Sequence, residues 1–196
     1  MPSISTLLWD SPRNPYLAVG IPLLIGGATS YAVNGTKPNG LRNTGTSTWW
    51  YNSLKAPKGE VSSEAHAYAW PALYAAAGFG SYLIAQNLDV PGAYGSINPA
   101  ARATAIDALN LYWIAIGLNT AWSPLFFGLR QPALAAVDLL ALSGVIGALT
   151  VKAHSLPTIH NIPTSLFFVP YLCWVSYSTY LSAGYWWNNY GPGKRI

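Results

Sequence analysis

Charge is what this sequence lacks. Only 8% of its 196 residues are Asp, Glu, Lys or Arg, against about 25% in a soluble domain. From Ala153 to Gly193 there are 41 consecutive residues without an ionic side chain. Further blanks run from Asn14 to Thr36, Ala65 to Leu88 and Ala108 to Leu129, and Asp138 alone interrupts Gln131 to Val151. A hydrated surface has no reason for such gaps. A bilayer does, because each centrally placed charge costs roughly 2.5–3.5 kcal/mol. Each stretch approximates the ~20 residues that carry a helix across ~30 Å of hydrocarbon.

Other absences narrow the class. With one cysteine, Cys173, there is no internal disulfide. The ten basic residues are scattered, so the net charge of +4 does not read as a nucleic-acid surface. No basic residue precedes the short apolar run Ser5–Trp9, which argues against a signal peptide. One Arg in the first 36 residues argues against an Arg-rich mitochondrial presequence. His66, His154, His160 and Cys173 share no metal-site spacing, and no metal is expected. Nothing resembles a nucleophile–base constellation or a cofactor loop, so no cofactor is expected to be required.

What is present is apolar and aromatic: 52% hydrophobic residues and nine tryptophans. The expectation is an all-α integral membrane bundle, one domain over 1–196, with five transmembrane helices at about 15–34, 63–88, 99–127, 132–154 and 164–189. Asn98-Pro99 predicts an N-cap followed by proline at the first helical position. Gln131-Pro132 and Ile162-Pro163-Thr164 place proline at the next two starts. Pro22, Pro71, Pro124 and Pro170 read as interior prolines that bend their helices. Five spans put seven basic residues (Lys37, Arg42, Lys55, Lys58, Arg130, Lys194 and Arg195) on the C-terminal side and three on the other. That bias favours a cytosolic C-terminus. The sequon Asn34-Gly35-Thr36 then lies on the cytosolic side.

The long loop 35–62 turns aromatic at Trp49-Trp50-Tyr51, either as an interfacial belt or as a lid over a cavity. Trp70, Leu73, Tyr74, Ala77 and Ser81 recur at helical spacing, as do Tyr171, Trp174, Ser178 and Tyr185. Ordinary helix packing accounts for such faces. So does a pocket in which a flat conjugated ligand lies against rings and is oriented by a few polar groups. Asp107 and Asp138 fall inside predicted spans, where an acid either pairs with a base near the helix end or serves a ligand or proton. Small-xxx-small pairs (Gly26/Ser30, Ala76/Gly80, Gly117/Ala121, Gly144/Ala148) mark expected helix contacts within the bundle, or a homodimer face.

Four ordered strings resemble a known family. Trp50-Tyr51-Asn52-Ser53-Leu54-Lys55-Ala56-Pro57 is similar to the W-Y-x-x-L-x-K-P loop of the translocator (TspO/MBR) proteins. Thirteen positions on, Trp70-Pro71-Ala72-Leu73-Tyr74, followed by Gly78, resembles their second helix. Leu118 to Phe127 resembles L-N-x-x-W-S-x-L-F-F of the third, and Pro170-Tyr171-Leu172-Cys173-Trp174 resembles P-Y-x-x-W of the fifth.

The resemblance implies a pocket for porphyrins, heme, sterols and synthetic aromatics between the helices. Its lining is expected to include Trp70, Tyr74, Asn119, Trp122, Asp138, Tyr171, Trp174, Ser178 and Leu181. Trp50, Tyr51, Leu54, Lys55 and Pro57 are expected in a lid. It also implies dimers, and a mitochondrial outer membrane (or bacterial outer membrane) location. Three activities follow from it: a receptor or translocator, slow light- and oxygen-dependent porphyrin degradation with Trp70 and Trp174 as redox groups, or a stress-sensing scaffold. Ala56, Gly59 and Val61-Ser62 replace the family's Lys, Trp and Pro-Pro, which predicts a more flexible lid. The proposed cholesterol motif is broken: Leu181 and Tyr185 fit, but the aligned tyrosine position is Ala183 and the next base is Lys194.

Overall fold

The computed structural model describes residues 8–34, 46–93, 96–158 and 161–193. Among these, regular structure is helical apart from isolated bridges such as Pro91–Ile97. Five helices are long: α1 (Pro15–Asn34), α3 (Ser63–Gln86), α4 (Pro99–Ser123), α5 (Pro132–His154) and α6 (Val169–Tyr190). A short helix, α2 (Thr46–Ser53), precedes α3.

The starts follow their capping chemistry. Asn14 Oδ1 accepts from the amides of Tyr16 (2.9 Å) and Leu17 (3.3 Å), ahead of Pro15. Asn98 Oδ1 accepts from Ala100 (3.1 Å) and Ala101 (3.2 Å), with Pro99 at the first position. Ser62 caps α3 through the Ala65 amide at 3.3 Å. Each satisfies donors that a helix start leaves unpaired.

The ends depart from expectation where proline intervenes. The sequence predicts a third helix reaching 127, but α4 stops at Ser123 and Pro124–Gly128 forms a π turn. Leu129 N reaches back five residues to Pro124 O at 2.8 Å, a widened turn that takes up the register proline breaks. The fifth predicted helix divides into a 3-10 turn, Thr164–Phe167, and α6. Pro170 therefore sits in the first turn of α6, where its missing N–H costs nothing, and not in a helix interior. α3 ends at Gln86 and tightens into a 3-10 turn, Asn87–Asp89. Pro22 and Pro71 do lie inside α1 and α3.

Packing divides the bundle. α1 lies along α3, while α4, α5 and α6 pack in sequence. Smaller α1–α4 and α3–α4 contacts join the groups, and α3 meets α6 only slightly. A core of Ile84, Leu109, Leu139, Leu142, Ile146, Leu149 and Val175 runs between them. Leu24, Ile114, Leu134, Val137, Leu140 and Val151 face outward, with Tyr16, Tyr31, Tyr68, Trp186, Trp187 and Tyr190 near helix ends. Apolar flanks with ring-bearing ends are the pattern lipid and its interface select. Thr29, Thr120, Ser143, Thr150 and Thr179 each bond the carbonyl four residues back, so their hydroxyls need no water. By length and apolar composition one described helix, α5, qualifies as a span, with mean hydropathy 2.1. The other long helices carry more Trp, Tyr, Pro or polar residues, which lower that index.

The small-residue pairs divide as well. A Cβ on Gly26 would strike the Tyr74 ring, and one on Gly80 would strike Phe168 and Phe167. Gly117 and Gly144 meet nothing within 4 Å. Among the described residues these two positions face open space, unlike Gly26 and Gly80.

Candidate functional site

Tyr74, Asn119 and Tyr171 come from α3, α4 and α6 and meet in the interior. The Tyr74 hydroxyl donates to Asn119 Oδ1 at 2.6 Å, and Asn119 Nδ2 donates to the Tyr171 hydroxyl. Tyr171 and Asn119 are buried. Unpaired, each buried polar group would cost about 1–3 kcal/mol, so the clasp fixes three helices relative to one another.

Beside it lies a cluster of rings centred on Trp70. Its centroid is 5.8 Å from Tyr74, 6.2 Å from Trp122 and 6.2 Å from Trp174, the last at right angles. His66 meets Trp174 edge to face, with ring centroids 5.3 Å apart. Trp174 Nε1 is buried without a hydrogen-bond partner among the described residues. Ser178 donates to the Trp174 carbonyl at 2.9 Å, so its proton is committed. Leu181 is buried. Asp138 Oδ2 is buried with no hydrogen-bond partner among the described residues. Asp107 is paired, through Lys152 Nζ at 2.7 Å. At the same end Asp89 pairs with Arg13, which raises the Arg13 pKa through that hydrogen bond.

Where α3 and α6 separate there is an apolar groove of about 560 Å³. Ala69, Ala72 and Leu73 form one wall, Pro170, Cys173, Trp174 and Tyr177 the other, and Val61 lies at its end. It opens through the side of the bundle. Of the expected pocket residues, Trp174 lines it, Trp70 and Tyr74 stand in ring contact behind it, and Asn119, Tyr171, Ser178 and Leu181 belong to the packed interior.

The segment expected as a lid is bonded along 50–61 to α6. Trp50 Nε1 donates to the Tyr190 hydroxyl at 3.0 Å. Asn189 accepts from Lys55 N at 2.8 Å and donates to Lys55 O at 3.1 Å. Asn188 reaches Ala56 O, Tyr180 reaches Lys58 O, and Tyr177 both donates to Gly59 O and accepts from Val61 N. Pro57 seats on Gly184, and Leu54 is buried. Tyr51 and Tyr185 both donate to Glu60. Burial foremost, then the bond to Glu60, pushes the Tyr51 pKa well up. α6 thus supplies hydrogen bonds along the stretch in which Gly59 and Val61-Ser62 replace the family's Trp and Pro-Pro. The part of the loop at 35–45 lies outside the described residues. Tyr185 sits beneath the lid and not in the groove.

Sequence reasoning missed Glu60, Tyr177, Tyr180, Gly184, Asn188 and Asn189. The signal was present: 177, 180, 184 and 188 follow helical spacing, a second stripe beside the aromatic one. Among the described residues no group of His, Cys, Asp or Glu could hold a metal.

The TspO/MBR family model matches residues 18–187. The human protein named Translocator protein is 34% identical over 149 residues, covering 75% of this chain and 80% of that one. A Translocator protein homolog of Schizosaccharomyces pombe is 36% identical over 140 residues, covering 69% and 74%. The Archaeoglobus fulgidus Tryptophan-rich protein TspO is 28% identical over 134 residues, covering 68% and 75%. With a match over most of its length, and with the paired tryptophans and clasped asparagine in place, this chain belongs to the TspO/MBR family.

Proposed function

We propose that this protein is a membrane receptor or translocator that takes flat apolar molecules, porphyrins and sterols foremost, from the bilayer into the groove between α3 and α6. Family membership supports the membrane translocator or receptor role. The observation that carries the ligand site is the groove itself: a side opening of about 560 Å³, walled by Trp174 with Trp70 edge-on behind it. Its size falls in the ~300–1,000 Å³ of small-molecule sites. A lateral mouth suits a solute that arrives dissolved in lipid. The unpaired Trp174 Nε1 offers one donor to orient it. All five long helices are taken as spans, in a mitochondrial outer membrane with a cytosolic C-terminus. The outward Gly117 suits a homodimer contact on α4.

The test is to titrate protoporphyrin against purified protein, following tryptophan quenching and alkylation of Cys173, the only thiol. Trp70→Phe with Trp174→Phe should weaken binding by about tenfold, equal to ~1.4 kcal/mol, and saturating porphyrin should protect Cys173. Unchanged affinity together with an unprotected thiol would remove the groove from consideration.

A second reading, light-dependent porphyrin degradation, is favoured by the perpendicular Trp70–Trp174 pair. It requires a bilin-like product formed only with protein and illumination.

A further inference from the structure

The rings do not stop at the groove. From Trp174 and Trp70 the series continues to Trp122, which stacks on Phe126 at 5.6 Å. Phe126 lies 5.7 Å from Tyr185 and 6.1 Å from Tyr51, whose own rings are 5.4 Å apart. The series ends at Glu60, whose Oε1 accepts from both tyrosine hydroxyls. Each hydroxyl has one proton. With both directed at the carboxylate, the 2.8 Å approach of the two oxygens is the consequence of a shared acceptor.

The end point is chemically distinct from the other tyrosines near the path. Oxidising a tyrosine by one electron makes its hydroxyl strongly acidic, so the step needs a base in place. Tyr74 donates to an amide oxygen and Tyr177 to a backbone carbonyl, and neither takes a proton. Glu60 does.

We propose that Trp70, Trp174 and Trp122 with the Tyr51–Tyr185–Glu60 group form a relay that carries an oxidising equivalent from the groove to the lid. A one-electron oxidant, such as a photoexcited aromatic ligand or a soluble metal complex, takes an electron from a groove tryptophan and is itself reduced. Trp122 refills the resulting radical cation. Tyr51 or Tyr185 then gives its electron to the Trp122 radical cation and its proton to Glu60. The balance is tryptophan radical cation, tyrosine and carboxylate going to tryptophan, tyrosyl radical and carboxylic acid. Phe126 is harder to oxidise and serves as the bridge. The relay is a property of the chain, whatever occupies the groove.

It is therefore tested without a groove ligand. The detergent-solubilised full chain is excited in the tryptophan band with a cobalt(III) ammine as the electron acceptor, and radicals are followed by transient absorption and electron paramagnetic resonance. Tryptophan radical should decay as tyrosyl radical rises. Glu60→Gln, which keeps a hydrogen-bond acceptor but no base, should slow that rise on the order of a hundredfold, the scale of a positioned proton acceptor. It should also abolish its solvent deuterium dependence. Trp122→Phe should leave the tryptophan radical stranded, and Tyr51→Phe with Tyr185→Phe should remove most of the tyrosyl signal. Tyrosyl radical that forms at the native rate in the Glu60 variant, or in native yield in the double tyrosine variant, would overturn the relay. Neither outcome bears on porphyrin affinity, so failure here and failure of the groove remain separate.

Discussion

Gly78 shows how one missing side chain sets a helix separation. A Cβ there would run into the Ala18 carbonyl and lie 2.9 Å from Val19 Cα, both backbone atoms that cannot rotate away. Gly78→Ala should push α1 off α3 and destabilise the protein by about 1–3 kcal/mol, the usual scale of overpacking. A thermal melt in detergent reads this as a lowered midpoint, with Gly27→Ala as the near-neutral control because its Cβ position is open. Gly78 was legible as a family position, but the reason for it was not. Its neighbour lies 60 residues away in sequence, and no periodicity reports how closely two backbones approach.

At the scale of elements, the segment from Trp50 to Val61 is held by α6 rather than by itself. Asn189 bonds both the amide and the carbonyl of Lys55 and is the central fastener. Asn189→Ala should free that strap at a cost of about 1–3 kcal/mol for the groups left unpaired. Amide exchange at residues 50–61 should rise while exchange in α4 and α5 stays native; a uniform rise would mean that Asn189 supports the fold at large. The helix starts were readable because caps are local: Asn98 acts two and three residues on. The short helix α2 was not. Thr46–Ser53 has no helical stripe, and its order comes from Trp50 reaching Tyr190, 140 residues distant. The π turn escaped notice because Pro124 announces a break without saying how the chain repairs it. The candidate site was half legible. Spacing picked out Trp70, Tyr74, Tyr171 and Trp174, yet put Tyr185 with them, because a stripe does not say where along a helix the groove ends and the lid begins.

For the whole molecule, the ion pairs Arg13–Asp89 and Lys152–Asp107 lie at the far side of the long helices from the lid. Three long helices separate Lys58 from Lys152. If each crosses the bilayer, the two amines open to opposite compartments. In sealed vesicles a membrane-impermeant acylating reagent should label Lys58 from one face and Lys152 only from the other, or after permeabilisation. Labelling of both from the same face would reduce the number of spans between them to an even one. The charge gaps predict such a topology from the sequence, whereas hydropathy alone singles out α5.

One arrangement has a mechanical corollary. α6 is both a wall of the groove and the anchor of the cap, through Tyr177, Tyr180, Asn188 and Asn189. These bonds tie the backbone of the cap directly to the wall. A bulky guest that wedges the seam apart would lever the roof with it, so admission from the lipid side would be announced at the aqueous surface without any separate messenger.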